Sequence, residues 1–348
     1  MTSLEYSSDI PTGLLKGVSR SFYLTVRVLP RTVRGPIHLA YLLARAADTI
    51  ADTDAIPSAN RLGQLERFRV RLSDRSIELP AILSASPELQ VRRDEPEAEL
   101  LQALPRLFVL LDNLPEDDQR NVQKTVDTLV RGMVFDLTTF PTPESGRTGA
   151  LDTLDDLDRY TYLVAGCVGE FWTDVMLSHN SAVQNWDRDH MVDLGVRFGK
   201  ALQMTNIIRD VPKDLRAGRC YVPRELLESV GLKPEDLLSP AANEDASPVL
   251  TAMVRRALDF YVSAEEYIRA TPRRSARLRL AMIWPVLIGL ATLDMLLRNP
   301  NWLDPDTRIR VSRPWVYWMM IRSIPCAWSN ALFTSWTRRL RARIEESM

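Results

Sequence analysis

Tyr41-Leu42-Leu43-Ala44-Arg45-Ala46-Ala47-Asp48-Thr49-Ile50-Ala51-Asp52 is the stretch on which the reading of this chain turns. Tyr41, Arg45, Asp48 and Asp52 step by four, three and four residues, so on a helix they form one polar stripe. The residues between them are Ala, Leu and Ile, and a polar stripe on an otherwise apolar helix points toward a cavity. A surface ion pair between Arg45 and either aspartate would account for the same pattern without any function. The D-x-x-x-D spacing returns, far away in sequence, at Asp210-Val211-Pro212-Lys213-Asp214. There Gly199, Gln203, Asn206, Asp210 and Asp214 again step by three or four.

Two carboxylates side by side suit a hard divalent cation. Magnesium takes oxygen ligands, keeps several waters, and usually binds one or two carboxylates together with a substrate phosphate. Asn206 adds a neutral oxygen, and Arg209 a planar fork that matches phosphate. Pro212 inside a helix costs about 3 kcal/mol and a hydrogen bond. The helix is therefore expected to end or kink near Val211, with Asp214 reaching the site from a turn. Arg216 and Arg219 follow closely, and carboxylates interleaved with arginines suit a metal–diphosphate site.

The remaining composition narrows the classes. Net charge is −1 over 348 residues, so no global field recruits nucleic acid or an acidic membrane, which leaves such binding to local patches. Three cysteines, Cys167, Cys220 and Cys326, lack C-x-x-C spacing and read as reduced intracellular thiols. Three scattered histidines (His38, His179 and His190) argue against a histidine-based metal or nucleophile site. No secretory signal is evident at the N-terminus, and a cytoplasmic location is expected. Met282 to Leu297 is apolar but interrupted by Pro285 and Asp294, short of the ~20 residues of a membrane span. The tract from Trp315 to Trp336, followed by Arg338-Arg339-Leu340-Arg341-Ala342-Arg343, would suit a peripheral contact at the inner face of a membrane.

Fourteen glycines and long 3.6-type apolar patterns predict an all-α protein. Helices are expected over Val33 to Ile50, Leu101 to Leu114, Gln119 to Phe135, Leu157 to Leu177, Val192 to Arg209, Pro248 to Ala270 and Arg277 to Leu297. Connectors fall at Thr53–Ser58, Ser84–Glu97, Pro141–Gly149, Lys213–Arg219 and Ser239–Ser247. None demands a boundary, so one domain over residues 1–348 is expected, its tail from 314 onward the least defined. Ser19-Arg20-Ser21-Phe22 offers hydroxyls and a guanidinium, as a phosphate site or a helix cap would. Gly166 and Gly169, in a helix that becomes small-sided, admit either a close helix neighbour or a long apolar ligand.

Taken in order, several stretches resemble the squalene/phytoene synthase family. They are SRSF at 19–22, ARAADTIAD at 44–52, RGMVFDL at 131–137, DRYTYLVAGCVGE at 158–170, QMTNIIRDVPKDLRAGRCYVP at 203–223 and the apolar helix at 280–297. The resemblance implies a single isoprenoid synthase helical bundle with a central cavity. It implies that Asp48, Asp52, Asp210 and Asp214, with Asn206, hold Mg2+ on two farnesyl diphosphates. Ser19, Arg20, Phe22, Tyr41, Arg45, Gln203, Asn206, Arg209 and Arg219 would bind substrate, and Tyr160 or the released diphosphate would take the proton. Ile50-Ala51 stands where some squalene synthases carry acids, so no third acidic ligand is expected from that motif.

The family divides at the quenching of the last cation, by hydride from NADPH or by proton loss. No G-x-G-x-x-G occurs. Arg308-Ile309-Arg310 resembles the basic stretch by which squalene synthases hold NADPH phosphates, with Arg20, Arg45 and Arg209 contributing. The expectation is therefore squalene synthase. Its alternatives are dehydrosqualene or phytoene synthase without hydride transfer, and a non-catalytic assembly factor of the same fold.

Overall fold

The computed structural model describes residues 14, 28–52, 58–76, 96–142, 145–307 and 309–348. Its described residues are mostly helical, with almost no strand, and divide into two compact units. The first comprises residues up to 137 together with 171–186; the second comprises 138–170 and 187–348.

Within the first unit, α1 (Arg31–Asp52) extends the expected helix by two residues at either end. It buries Val33, Ile37, Leu39, Leu42, Leu43, Ala46, Ala47 and Ile50 against α2 (Ser58–Ser73), α3 (Pro96–Gln102) and α4 (Leu104–Asp112). Two short helices thus replace the single one expected over Leu101 to Leu114, with Pro105 at the start of the second. Helix α2, with four arginines, escaped the apolar pattern, yet it seats Leu65, Phe68 and Leu72 in the core. Phe68 meets Phe108 edge-on at 5.3 Å. The long α5 (Glu116–Thr139) starts with three acids, which suit the positive end of its dipole. Its buried Asp118 is met by Nε2 of His179 at 2.7 Å.

In the second unit, α6 (Leu154–Thr161) opens on a capping box made by Thr153 and Asp156. It runs into one π-helical turn, Tyr162–Gly166, and on into α7 (Cys167–His179), whose later part belongs to the first unit. The axis of the second unit is α8 (Arg188–Arg216), packed most heavily on α10 (Ser247–Ala270) and also on α11 (Ala276–Leu297). Between them lies the short α9 (Arg224–Glu228). Helices α12 (Arg313–Arg322) and α13 (Asn330–Glu345) complete the unit. A two-residue parallel pair joins β1 (Gly149–Ala150) to β2 (Arg219–Cys220).

Contrary to expectation, α8 does not end at Val211. It passes through Pro212 and stops after Arg216, where Gly218 takes a positive φ of 78° and donates to the Leu215 carbonyl at 3.0 Å. Val211, Pro212 and Leu215 are all buried, so packing outweighs the local penalty of the proline.

The glycines resolve in favour of close helix packing. A methyl on Gly169 would lie 1.8 Å from the Gly195 carbonyl oxygen, and one on Gly199 would lie 2.3 Å from that of Ala165. The π turn and the start of α7 therefore touch α8 backbone to backbone. Helix α11 is long and apolar enough to cross a membrane, but 72% of its most apolar window is buried inside the protein. All three cysteines are buried, and none forms a disulfide among the described residues.

Candidate active site

In the first unit, Arg45 holds the stripe of α1 in place. Its Nη1 donates to Asp48, and its Nη2 donates to Glu97 of α3 at 3.2 Å. The ion pair that would explain this stripe without function is therefore present, but it leaves charge unmet. Burial raises the Asp48 carboxyl above its ordinary value, the neighbouring charge of Asp52 raises it further, and Arg45 only partly opposes them. The Tyr41 phenol is also raised, by burial first, with Arg45 opposing and Asp48 adding. Asp52 is exposed, while Ile50 and Ala51 are buried and leave no acid between the pair.

The second pair keeps true i,i+4 geometry, because α8 continues past Pro212. Gln203, Asn206, Asp210 and Asp214 are half-buried along one side of that helix. Arg209 forks onto Asp210, Nε at 2.8 Å and Nη2 at 2.6 Å. The Asp214 carboxyl is pushed up to about 6, by burial first and by the charge of Asp210 second, against the pull of Lys213, Arg219 and Arg209. Arg219 lies in β2, directly after the Gly218 turn.

Tyr160 sits at the end of α6 with 5% exposure, its ring stacked on Tyr221 at 4.7 Å. Tyr221 in turn meets Phe140 edge-on at 4.9 Å. The π turn begins two residues after Tyr160, and such turns often accompany functional sites. Nothing in the apolar period announces it.

Magnesium fits this donor set. Among the described residues no group of three or more His, Cys, Asp or Glu side chains gathers, so the fit rests on the two carboxylates of each stripe, a number with which magnesium, keeping waters and taking phosphate, is usually bound. Each pair holds a carboxyl raised by burial and, secondly, by its neighbouring aspartate, and a bound cation would oppose both. For a dinucleotide the match is poorer. Arg45 and Arg209 are already engaged with carboxylates within their own units, and Arg310 is exposed. Ser19, Arg20, Phe22 and Arg308 lie outside the described residues.

Four partners were missed by the sequence reading. Glu97 falls in a segment read as a connector, 52 residues from the Arg45 it binds. Lys200, 8% exposed, donates to Asp158 at 2.6 Å, with Arg256 on the other carboxylate oxygen at 3.4 Å. Tyr221 carried a usable signal, since it stands in the same quoted run as Arg219.

The Squalene/phytoene synthase family model matches residues 15–315. The chain belongs to that family. Among relatives of this squalene/phytoene synthase family member is the squalene synthase of Cyberlindnera jadinii, 25% identical over 297 residues, which cover 85% of this chain and 63% of that one. The presqualene diphosphate synthase of Rhodopseudomonas palustris is 28% identical over 254 residues, covering 73% and 76%. The solved complex of TcSQS with the ligand BPH1237 shares the fold at a TM-score of 0.77 and 23% identity, covering 99% of this chain and 92% of that one. The fold is the all-α isoprenoid synthase fold. The chain spans about three fifths of the length of the squalene synthases it matches, 63%, 64% and 58% for three of them.

Proposed function

We propose that the protein is a magnesium-dependent prenyltransferase, a squalene synthase. It would join two molecules of farnesyl diphosphate head to head through presqualene diphosphate, then reduce the product to squalene with NADPH. The observation that carries this reading is the pair of D-x-x-x-D stripes, each with a carboxyl raised by burial first and by its neighbouring aspartate second, and with an arginine lying against it. The proposal takes residues 1–348 as one isoprenoid synthase domain acting in the cytoplasm.

Asp48 and Asp52 would hold magnesium at the first stripe, and Asn206, Asp210 and Asp214 at the second. Bound there, the metal takes up negative charge developing on a departing diphosphate. Arg209 now spreads two donors over Asp210, and the same fork matches two phosphate oxygens. Exchange of that partner places the guanidinium on the leaving group, with Arg45 acting likewise at the first stripe and Arg219 adding charge beside the second. Arg20, with Ser19 and Phe22, would complete the diphosphate grip, while Tyr41 and Gln203 would line the substrate chains. Tyr160, held by its stack on Tyr221, or the departed diphosphate, takes the proton released as the cyclopropane closes. NADPH would be held by Arg20, Arg45, Arg209, Arg308 and Arg310. That part rests on the resemblance and on the names of the squalene synthase relatives.

A second reading, that the reaction stops at presqualene diphosphate, is favoured by the Rhodopseudomonas relative, whose length the chain covers more fully. Mass spectrometry of the products from farnesyl diphosphate and Mg2+, with and without NADPH, separates the readings. Squalene formed only with NADPH supports the proposal. Presqualene diphosphate that persists in its presence supports the second reading. Dehydrosqualene indifferent to NADPH identifies the sister reaction, and a folded chain without product identifies an assembly factor.

A further inference from the structure

From residue 307 to residue 344 the chain carries eight arginines and no lysine or acid. Since the whole chain has a net charge of −1, the remainder stands at −9. Two of these arginines serve the fold: Arg341 pairs with buried Glu265 at 3.1 Å, and Arg343 with buried Asp294 at 2.6 Å. Arg310, Arg313, Arg322, Arg338 and Arg339 are exposed.

The apolar residues of the same segment are also turned outward. Helix α12, Arg-Pro-Trp-Val-Tyr-Trp-Met-Met-Ile-Arg, buries only Met319. A surface helix of a soluble protein normally buries an apolar stripe and exposes a polar one. Here Tyr317 is 61% exposed, Trp318 50% and Ile321 67%, and beyond the helix Ile324 is 43%, Trp328 55% and Leu332 51% exposed. The aromatic rings are fixed in place: Trp318 meets Trp336 edge-on at 5.9 Å, and the Arg322 guanidinium lies 5.5 Å over the Trp318 ring. A patch of this kind marks an interaction surface.

We infer that the face made by α12, the turn after it and the start of α13 docks on an anionic lipid bilayer. Trp and Tyr belong at the headgroup level, where one end of the ring is apolar and the other wet. Exposed arginines around them match anionic headgroups, and charge so strongly segregated within one chain has little use in water alone. A protein partner would have to be both acidic and apolar over the same area. A second copy would set like-charged arginines against one another. The inference does not depend on the proposed reaction.

The test uses the full chain and flotation with vesicles of phosphatidylcholine alone or with a third phosphatidylglycerol. The expected result is flotation with the anionic vesicles, a blue shift of tryptophan fluorescence, and weakening at high salt. Ile321→Asp/Trp328→Asp should lower the partition coefficient at least about tenfold, and Arg338→Glu/Arg339→Glu by a similar factor. These side chains are exposed, so the melting temperature should hold. No flotation, equal flotation with both vesicle types, or unchanged partition of both variants would overturn the inference. So would a dimer of the wild-type chain in sedimentation velocity that Ile321→Asp/Trp328→Asp dissolves.

Discussion

Asp214→Asn should make the ligand-free protein more stable while removing its activity. The Asp214 carboxyl stands at about 6, against 3.8 for an unburied aspartate. An acid whose folded pKa is raised binds more protons folded than unfolded between these two values, so stability falls as pH rises from about 4 to about 6. At neutral pH two pKa units correspond to an upper bound of about 3 kcal/mol. Because the side chain is only half-buried, screening by solvent brings the expected gain of the asparagine variant to about 1–2 kcal/mol. Urea unfolding at pH 7, 5 and 4 reads it directly: the gain should be largest at pH 7 and vanish near pH 4. Saturating Mg2+ should stabilise the wild type and narrow the difference, since ligand binding to the folded state adds to stability. A variant no more stable than wild type at pH 7, or a gain independent of pH, would refute the argument that burial and the charge of Asp210 hold the Asp214 carboxylate at a cost.

Three further outcomes test the packing and the buried charges. Gly289→Ala should cost about 1–3 kcal/mol, because the added methyl falls 1.8 Å from the Tyr261 hydroxyl, which is bonded to Thr205 at 2.9 Å. Tyr261→Phe should rescue it only in part, as the ring carbon is still 2.8 Å away; thermal unfolding of the two variants and their double mutant reads this. Arg279→Met should lose about 2–4 kcal/mol in denaturant unfolding, because the fully buried guanidinium donates to the Ile268 and Thr271 carbonyls and to Asn330, at 2.5, 2.6 and 2.6 Å. Burial, aided by Arg34, lowers His38 to about 4, and neither ring nitrogen has a hydrogen-bond partner among the described residues. Its stabilising effect is therefore complete above pH 6.5 and lost as pH falls toward 4. That removes about 2 kcal/mol by pH 5, a loss that His38→Phe should abolish in urea titrations at the two pH values.

The helices that bear the candidate site were legible because their polar stripes interrupt otherwise apolar or small-residue runs. Tyr41 to Asp52 and Gly199 to Asp214 both keep the period of a helix face, and both are helical. The course of α8 beyond Val211 was not legible. A proline's local penalty is visible in sequence, whereas the burial of Val211, Pro212 and Leu215 that offsets it belongs to tertiary packing. For the same reason α2 went unread: its charged residues dilute the apolar signal, and only Leu65, Phe68 and Leu72 commit it to the core. Gly169 and Gly199 showed that something approaches closely there, but that the visitor is backbone rather than ligand depends on which helix lies alongside. The bonds from Arg45 to Glu97 and from Lys200 to Asp158 cross 52 and 42 residues, distances over which local spacing carries no information. The outward-facing α12 was foreshadowed by its aromatic and basic composition, though its exposure could not be read from it.

The central claim is that both aspartate stripes act through magnesium on a diphosphate leaving group. Steady-state turnover of farnesyl diphosphate, followed by diphosphate release with and without Mg2+, should be compared for wild type, Asp48→Asn and Asp214→Asn. Turnover should require the metal and should fall by about 100-fold or more in each variant, the scale of losing a group that stabilises transition-state charge, while both proteins stay folded. Turnover that persists without Mg2+, or that stays within a few-fold of wild type in either folded variant, would contradict the account.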